Sequence, residues 1–556
     1  MRSRSEMAAD QRGDYSRHDE PLLTEQRRWH WWQRAVIYHI YPRSFADSNG
    51  DGVGDLEGIR RKLDYLVWLG IDAIWLSPIF RSPMADFGYD ISDYLDVDPT
   101  FGTFEDLERL IADAHARGLK VILDFVPNHT SDQHPWFLES RSSRDHPRRS
   151  WYIWVDPAPD GGPPNNWRSV FGGSAWEFDA ATGQYYLHTF LKEQPDLNWR
   201  NPEVQAAMLD VLRFWFTRGV DGFRLDAIWF LIKDEELRDN PVNPDYTPDQ
   251  PPYRELLPVY TSDRPEIHDI LARMRQVADA FGERVLIGEI YLPVGRLVAY
   301  YGCPHRRELH MPFNFELLLV PWEARRVGAA IDTYEALLGP DDWPNWVLSN
   351  HDRPRVATRI GEAQARVAAM LLLTLRGTPT IYYGDELGLS DVPIPPERRR
   401  DPLERTLGPG AGRDSCRTPM PWDDSPGAGF TTGEPWLPLN PDYATRNVVV
   451  QRKDPRSMLS LYRELLILRR AEPALVVGRY RPVPAPNDLL AFLREAAGRR
   501  LLVVLNFGGH ERTFTTSRFT LRGQVLLSTY LDRAGEIIES GLVLRPNEGC
   551  IVALRE

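Results

Sequence analysis

Three carboxylates stand at the ends of short apolar runs: Asp226 after Gly222-Phe223-Arg224-Leu225, Glu289 after Val285-Leu286-Ile287-Gly288, and Asp352 after Val347-Leu348-Ser349-Asn350-His351. Side chains alternate along a strand, so Arg224 and Asp226 point the same way. A guanidinium at that range holds a carboxylate ionised, as a nucleophile must be. Alone, an Arg–Asp pair at a strand end is as often structural as catalytic. Two further strand-end carboxylates shift that balance. Glu289 has no cation beside it in sequence and follows an apolar run, a setting that raises a carboxyl pKa enough for general-acid work. Asp352, beside His351, adds a group able to hold hydroxyls and stabilise developing positive charge. A fourth polar cluster, Asp124-Phe125-Val126-Pro127-Asn128-His129, follows another apolar run. A nucleophile and an acid sharing one face is what glycoside hydrolysis requires.

These groups meet only if the fold brings distant strand ends together. Apolar runs at 36–41, 73–76, 121–126, 222–225, 285–289, 311–315, 346–348 and 380–383 predict strands. Between most of them lie stretches of helical period, at 56–69, 104–117, 204–218, 267–281, 329–338 and 363–375. Several stop at a glycine: Gly70, Gly118, Gly219 and Gly377. The alternation predicts the α/β class, a (β/α)8 TIM barrel, in which the carboxyl ends of all strands face one site. The barrel takes 27–127 and 196–470. Residues 1–26 read as a disordered leader. The aromatic, non-periodic stretch 128–195 is too long for a simple loop and reads as a small inserted domain over the barrel mouth. A Pro/Gly/Arg-rich insertion follows the eighth strand at about 387–454. Short alternating runs in 471–556, such as 501–505 and 525–531, predict a C-terminal antiparallel β-sandwich.

The composition is that of a globular enzyme-sized chain: 556 residues, 42% hydrophobic and 26% charged. A net charge of −13 without a long basic run argues against nucleic acid or an anionic membrane as partner. A neutral or cationic small molecule suits it better. The three cysteines are far apart, odd in number and lack metal or redox spacing, which points to a reducing compartment. No apolar signal core opens the chain, and no apolar run approaches the ~20 residues of a membrane span. The expectation is a soluble, cytoplasmic protein, monomeric or homodimeric.

Residues 124–129, 222–226, Glu289 and 350–352 together resemble the four signature regions of the α-amylase family, glycoside hydrolase family 13. The resemblance spreads over residues 36–470 and implies a retaining double displacement. Asp226 is then the nucleophile, Glu289 the acid and later the base, and Asp352 the stabiliser of an oxocarbenium-like transition state. Ala85-Asp86-Phe87-Gly88-Tyr89-Asp90 and the stretch from Gly412-Arg413-Asp414 to Arg417-Thr418-Pro419-Met420-Pro421-Trp422 resemble exo-acting α-glucosidases and oligo-1,6-glucosidases. By that resemblance Asp86 and Arg417 clasp a terminal glucose, Tyr89 stacks under its ring, and His129, Arg224 and His351 bind its hydroxyls. Phe171 and Phe190 match positions lining the pocket entrance, whereas Trp154 and Trp176 read as packing of the inserted domain.

The run Asp47-Ser48-Asn49-Gly50-Asp51-Gly52-Val53-Gly54-Asp55 matches the first half of a calcium loop, with Gly58 where an EF-hand needs glutamate. Relatives carry a structural divalent ion here, calcium or else magnesium, held by Asp47, Asn49, Asp51, Asp55 and the Val53 carbonyl; no organic cofactor is implied. Ala227, after the nucleophile, stands where valine accompanies α-1,6 specificity in this subfamily and smaller residues accompany α-1,4. The leading expectation is an exo-α-glucosidase acting on α-1,4 links, with some transglucosylation. An oligo-1,6-glucosidase, or a sucrose- or trehalose-type glucosyltransferase or isomerase, shares the same triad. Non-catalytic transporter heavy chains of this fold lack the carboxylates and carry a membrane span, so they fit poorly.

Overall fold

A computed structural model describes residues 29–486, 488–496 and 498–555. The leader expected at 1–26 lies outside the described residues. Eight strands close into a parallel barrel: β1 (Ile37–Ile40), β2 (Ala73–Leu76), β3 (Lys120–Phe125), β4 (Gly222–Leu225), β5 (Val285–Gly288), β6 (Met311–Asn314), β7 (Asn345–Val347) and β8 (Thr378–Tyr382). They follow one another round the barrel in chain order, and β1 pairs with both β2 and β8. Each predicted run contains its strand to within two residues.

The strands are apolar on both faces because both faces are covered. Ile37, Trp75, Ile122, Ile287 and Phe313 belong to one buried cluster. The alternate residues Tyr38, Ile74, Leu123, Phe223 and Leu286 belong to another, shared with Leu66, Leu110, Leu212 and Leu271 of the surrounding helices. Arg224 lies in register between Asp124 of β3 and Ile287 of β5, and so takes the inward parity of Ile122 and Ile287. That places a guanidinium on the inner face.

The helix expected at 56–69 is two helices, Leu56–Arg61 and Leu63–Leu69, because Lys62 (φ −103°, ψ 2°) leaves the helical region. Polar caps start two of the others: Thr103 and Asp106 form a capping box for Phe104–Ala116, and Asn201 caps Pro202–Thr217. Gly70 ends its helix at φ 105°, a left-handed turn that suits glycine. Among the described residues no helix is long and apolar enough to cross a membrane.

Between β3 and Pro202–Thr217 the chain builds a small three-stranded antiparallel sheet (Trp154–Val155, Gln184–Leu187, Trp176–Asp179) and the helix Pro135–Ser142. Trp167, Ala175, Trp176 and Leu187 form its core. Its two stems are bridged at His129–Asp196 and Tyr152–Leu197. The segment after β8 runs through short helical turns and returns to the β1 loop, where Asp47 N–H donates to Phe430 O (2.9 Å) and Trp436 N–H to Gly52 O (3.0 Å). At the C-terminus a six-stranded antiparallel sheet faces a two-stranded one (Arg512–Phe514 with Leu542–Leu544), and Leu502, Val504, Phe514, Leu542 and Val552 fill the space between. Its opposite face, with Phe492, Val503 and Ile551, packs on the barrel helices.

Gly222 lets β4 and β5 approach closely. A Cβ there would lie 2.3 Å from Val285 Cγ1 and 2.7 Å from the Val285 carbonyl oxygen. Gly222→Ala is expected to lower stability by about 1–3 kcal/mol, read from the denaturant midpoint. An unchanged midpoint would mean that the two strands spread freely.

Candidate active site

Two of the three strand-end carboxylates, with Asp124, meet around one cation. Arg224, buried, donates from Nη1 to Asp226 Oδ1 (2.6 Å) and to Asp124 Oδ1 (2.8 Å). Its Nη2 lies 2.8 Å from Glu289 Oε2. The ladder holds these residues one step past their strands: Asp226 N–H donates to Phe125 O (2.8 Å) and Glu289 N–H to Leu225 O (2.9 Å). Ala227 then turns left-handed (φ 45°), and its N–H meets Glu289 Oε2 at 2.9 Å. Positive φ is costly for a residue with a Cβ, and such backbone is concentrated at functional sites.

Two electrostatic expectations are corrected here. Glu289 does have a cation beside it, supplied by the neighbouring strand rather than by the flanking sequence. Nor does Arg224 hold Asp226 at an ordinary low pKa, because one guanidinium is shared by three carboxylates. Burial pushes Asp226 well up, with repulsion from Glu289 and Asp124 adding to it against the pull of Arg224. Burial likewise raises Glu289, and Asp352 adds to the effect. Asp226 and Glu289 therefore titrate as a pair that keeps a proton more readily than free carboxyls.

Asp352 is the contrast. Burial alone would raise it, but His351, Arg413 and Arg417 outweigh that and hold it well below the usual carboxylate range. Arg413 Nη1 is 3.0 Å and Arg417 Nη2 3.1 Å from Asp352 Oδ1. Its side chain is 24% exposed, against 10% for Asp226 and 7% for Glu289, so it stands open to the pocket.

Around the triad lie neutral polar and aromatic groups. Tyr89 Oη is 2.7 Å from His351 Nε2, with the two rings stacked at 5.4 Å and 7°. Tyr89 also donates to Asp124 Oδ2 (3.3 Å), as does Trp75 Nε1 (3.2 Å). His129 Nε2 approaches Tyr89 O (3.0 Å) and Gln194 Nε2 (3.2 Å). Burial drops His351 to about 3 and His129 to about 4, so both are neutral hydrogen-bonding groups at pH 7. Phe171 and Phe190 meet edge to face at 5.9 Å, and Phe190 also touches His129 and Phe230.

Of the two arginines expected near the clasp, Arg413 is the one that pairs directly with Asp86. Arg413 Nη2 lies 2.8 Å from Asp86 Oδ1, and its Nε lies 2.7 Å from Asp401 Oδ2. Arg417 sits deeper, 1% exposed, donating to His351 O (2.7 Å) with its guanidinium 5.3 Å from the Tyr41 ring centre. Asp124, Arg413, Asp401 and Gln194 thus join the cluster without having been singled out as site residues from sequence. Asp124 and Arg413 lay inside recognisable motifs; Asp401 and Gln194 carried no signal.

The inserted domain is fixed to the barrel by a buried lysine. Lys233 Nζ lies 2.6 Å from Asp196 Oδ2 and donates to Asn128 Oδ1 (2.8 Å). Asn128 and Asp196 are the two stems of the insertion, and Lys233 follows the turn that carries Asp226.

The loop 47–55 is wound by successive side-chain turns. Asp47 accepts from the N–H groups of Asn49, Gly50 and Gly52, Asn49 from Asp51, and Asp51 from Val53. Asp55 accepts from Gly58 N–H and so caps Leu56–Arg61. Among the described residues no three acidic, histidine or cysteine side chains converge as a metal cluster. The donor set, three carboxylates, one carboxamide and the Val53 carbonyl, is all hard oxygen, the chemistry calcium prefers.

Residues 39–478 match the family model described as alpha amylase, catalytic domain. The chain belongs to the alpha-amylase family. It is 46% identical over 501 residues to a probable alpha-glucosidase of Rhizobium meliloti, covering 87% of this chain and 90% of that protein. It is 39% identical over 565 residues to the oligo-1,6-glucosidase of Parageobacillus thermoglucosidasius, covering 94% and 99%. The crystal structure of the alpha-glucosyl transfer enzyme XgtA superposes with a TM-score of 0.90 at 44% identity, covering 95% of this chain and all of that one.

In this alpha-amylase-family site Arg413 serves three carboxylates at once. Arg413→Ala is expected to lower kcat/KM on a chromogenic α-glucoside by about a hundredfold or more, since it strands Asp86 and Asp401 and unclasps Asp352. Lysine there, a point charge without the planar fork, should restore little. Activity within a few-fold of wild type in Arg413→Ala would return the clasp to Arg417.

Proposed function

We propose that the chain is a retaining exo-α-glucosidase that releases terminal glucose from short α-glucosides, with α-1,4 links preferred. The observation that carries this reading is the placing of Asp226 and Glu289 on adjacent nitrogens of one buried guanidinium, beside the Asp86–Arg413 clasp. Two close carboxyls that keep one proton between them fit the double-displacement geometry.

Asp226 attacks the anomeric carbon while Glu289 gives its proton to the departing oxygen. The bond to the leaving sugar breaks as the bond to Asp226 Oδ forms, which yields a covalent glucosyl-enzyme. Glu289, now a carboxylate, takes a proton from water, whose oxygen displaces Asp226 and restores the starting state with α-configured glucose. Asp352, ionised at every working pH, stabilises the positive charge that develops on the ring. Tyr89 lies beneath the sugar. His129, His351, Arg224 and the Asp86–Arg413 pair hold its hydroxyls, and the clasp closes the end so that only a terminal residue enters.

The glucosidase relatives support hydrolysis, and the transfer enzyme supports a second reading in which a sugar hydroxyl replaces water in the last step. The small side chain at Ala227 favours α-1,4 links; the oligo-1,6-glucosidase relative keeps the α-1,6 alternative in view. Proton NMR of the enzyme on equal maltose and isomaltose is the test. Maltose is expected to disappear first, with α-glucose present before mutarotation. Early β-glucose would overturn retention, and isomaltose consumed first would overturn the linkage preference. Asp226→Asn should abolish turnover in a folded protein; near-wild-type turnover would remove it as nucleophile.

We also propose that loop 47–55 holds a structural calcium or magnesium ion through Asp47, Asn49, Asp51, Asp55 and the Val53 carbonyl. Its role is to tie the β1 loop to the segment after β8, which closes over it. Chelation with EDTA is expected to lower the melting midpoint by several degrees, with calcium restoring it. A midpoint indifferent to both, in protein free of metal by elemental analysis, would dismiss the ion.

A further inference from the structure

Behind the pocket, the turn that carries Asp352 rests on a second polar cluster that takes no part in the chemistry above. Val356 N–H donates to Ser349 Oγ (2.9 Å) and closes the turn 349–356. Arg355, fully buried, donates from Nη1 to Tyr383 O just past β8 (2.7 Å) and from its backbone N–H to Asp391 Oδ1 (2.8 Å). Its guanidinium lies 4.7 Å from the ring centres of both Tyr382 and Tyr383. Asp385, two residues past Tyr383, is 2% exposed.

Four polar atoms here are buried without a close protein hydrogen-bond partner, Arg355 Nε and Nη2 and both carboxylate oxygens of Asp385, although the Ser349 hydroxyl faces that carboxyl and helps to stabilise its charge. Arg355 is the strongest charge opposing the effect of burial on Asp385, so the two are neighbours, yet they are not in ion-pair contact. Unsatisfied donors on one group and unsatisfied acceptors on the next call for something between them.

We infer that a buried water bridges Arg355 and Asp385, and that Asp385 acts through it as a positioning residue for Asp352. The chemistry selects the bridging species. A halide would accept from Arg355 but face the Asp385 carboxylate, and a metal ion would suit the carboxylate but face the guanidinium. Only a molecule that accepts on one side and donates on the other satisfies both, which is how internal waters are used. Burial raises Asp385 to about 7, with Arg355, Ser349 and Arg359 opposing and Glu386 adding to it. Tyr462 faces the same carboxyl from the helix Met458–Ala471. Water fits either form of Asp385, since it donates to a carboxylate and accepts from an acid. Only two residues, Arg353 and Pro354, separate Asp352 from Arg355, so movement at the base of the turn is passed to its tip.

The inference rests on the role given to Asp352 above, and two measurements separate their failures. A wild-type crystal structure at a resolution that orders internal water should show a peak within hydrogen-bond distance of Arg355 and Asp385. A crystal soaked in sodium bromide should show no anomalous peak there. Bromide at that place, or Arg355 and Asp385 in direct contact, overturns the bridge whatever the enzyme's activity. Asp385→Asn keeps an acceptor for the water, and Asp385→Leu, of similar volume, does not. On a chromogenic α-glucoside, Asp385→Asn is expected to hold kcat within about twofold, whereas Asp385→Leu loses about tenfold to a hundredfold in kcat at nearly constant KM. A folded Asp385→Leu with wild-type kcat makes the residue merely structural and overturns its positioning role. Should that variant not fold, the wild-type crystals and Asp385→Asn decide. A wild-type enzyme inert towards α-glucosides fails the functional reading instead.

Discussion

One buried guanidinium held against three carboxylates governs this molecule. Arg224 sits where water is excluded, and Asp124, Asp226 and Glu289 together exceed its charge. Such a cluster is costly unless each charge is met by good geometry. Trp75 and Tyr89 provide part of that setting: their ring centres lie 5.3 and 5.8 Å from the guanidinium, and both also donate to Asp124. The remaining excess of negative charge is met by retaining a proton. Burial and mutual repulsion outweigh the single guanidinium, so Asp226 and Glu289 both hold protons more readily than free carboxyls. Asp352, served by Arg413 and Arg417, lies outside that cluster and stays charged. Two environments a few residues apart in space give like carboxyl groups opposite behaviour.

The same economy of charge fixes the inserted domain. His129, Phe190 and Gln194 belong to the insertion or its stems, yet they face groups of the barrel. Their placement depends on where the insertion leaves and rejoins the barrel. Lys233 joins both points to the segment that follows Asp226, with a 2.6 Å contact to Asp196 and a 2.8 Å bond to Asn128. A buried ammonium with fixed partners is weak as a source of stability but selective about geometry. The pocket entrance and the nucleophile therefore share one anchor.

The barrel was legible in the sequence because each of its signals is local. Apolar runs, helical period and glycine stops repeat often enough that single errors, such as the unbroken helix expected across Lys62, do not change the topology. The placing of Asp226 and Glu289 was legible for the same reason, each standing directly after a strand, with Asp352 five residues past the end of β7. What escaped was set by pairing between strands. Gly288 stands opposite Leu225 in the β4–β5 register, so the residues that follow, Glu289 and Asp226, emerge together and both reach Arg224. Reading only the flanking residues made Glu289 look free of cations. The pairing of Asp86 with Arg413 has a similar origin. Both arginines flank the short turn Asp414–Cys416, and which of them meets Asp86 depends on Asp401, twelve residues upstream of Arg413 in an unpatterned segment.

Tyr89, His129, His351 and the Asp86–Arg413 pair gather around Asp124 and Asp352. The chain beyond Asp226, Glu289 and Asp352 runs directly into Ile228–Phe230, Ile290–Tyr291 and Arg353. A cavity of about 220 Å³ lies there, lined by Tyr291, Arg353, Phe315 and Arg254 among others. Tyr291 stacks on Phe315 at 4.3 Å and carries the Arg353 guanidinium at 5.4 Å. Tyr291 lies in the field of Glu289 and Asp352, and its hydroxyl accepts from Asn350 Nδ2 at 3.4 Å, so this side of the site is coupled to the carboxylates. A hydrolase-named relative and a glucosyl-transfer structure resemble this chain to nearly the same degree, at 46% and 44% identity, so overall similarity does not choose between hydrolysis and transfer.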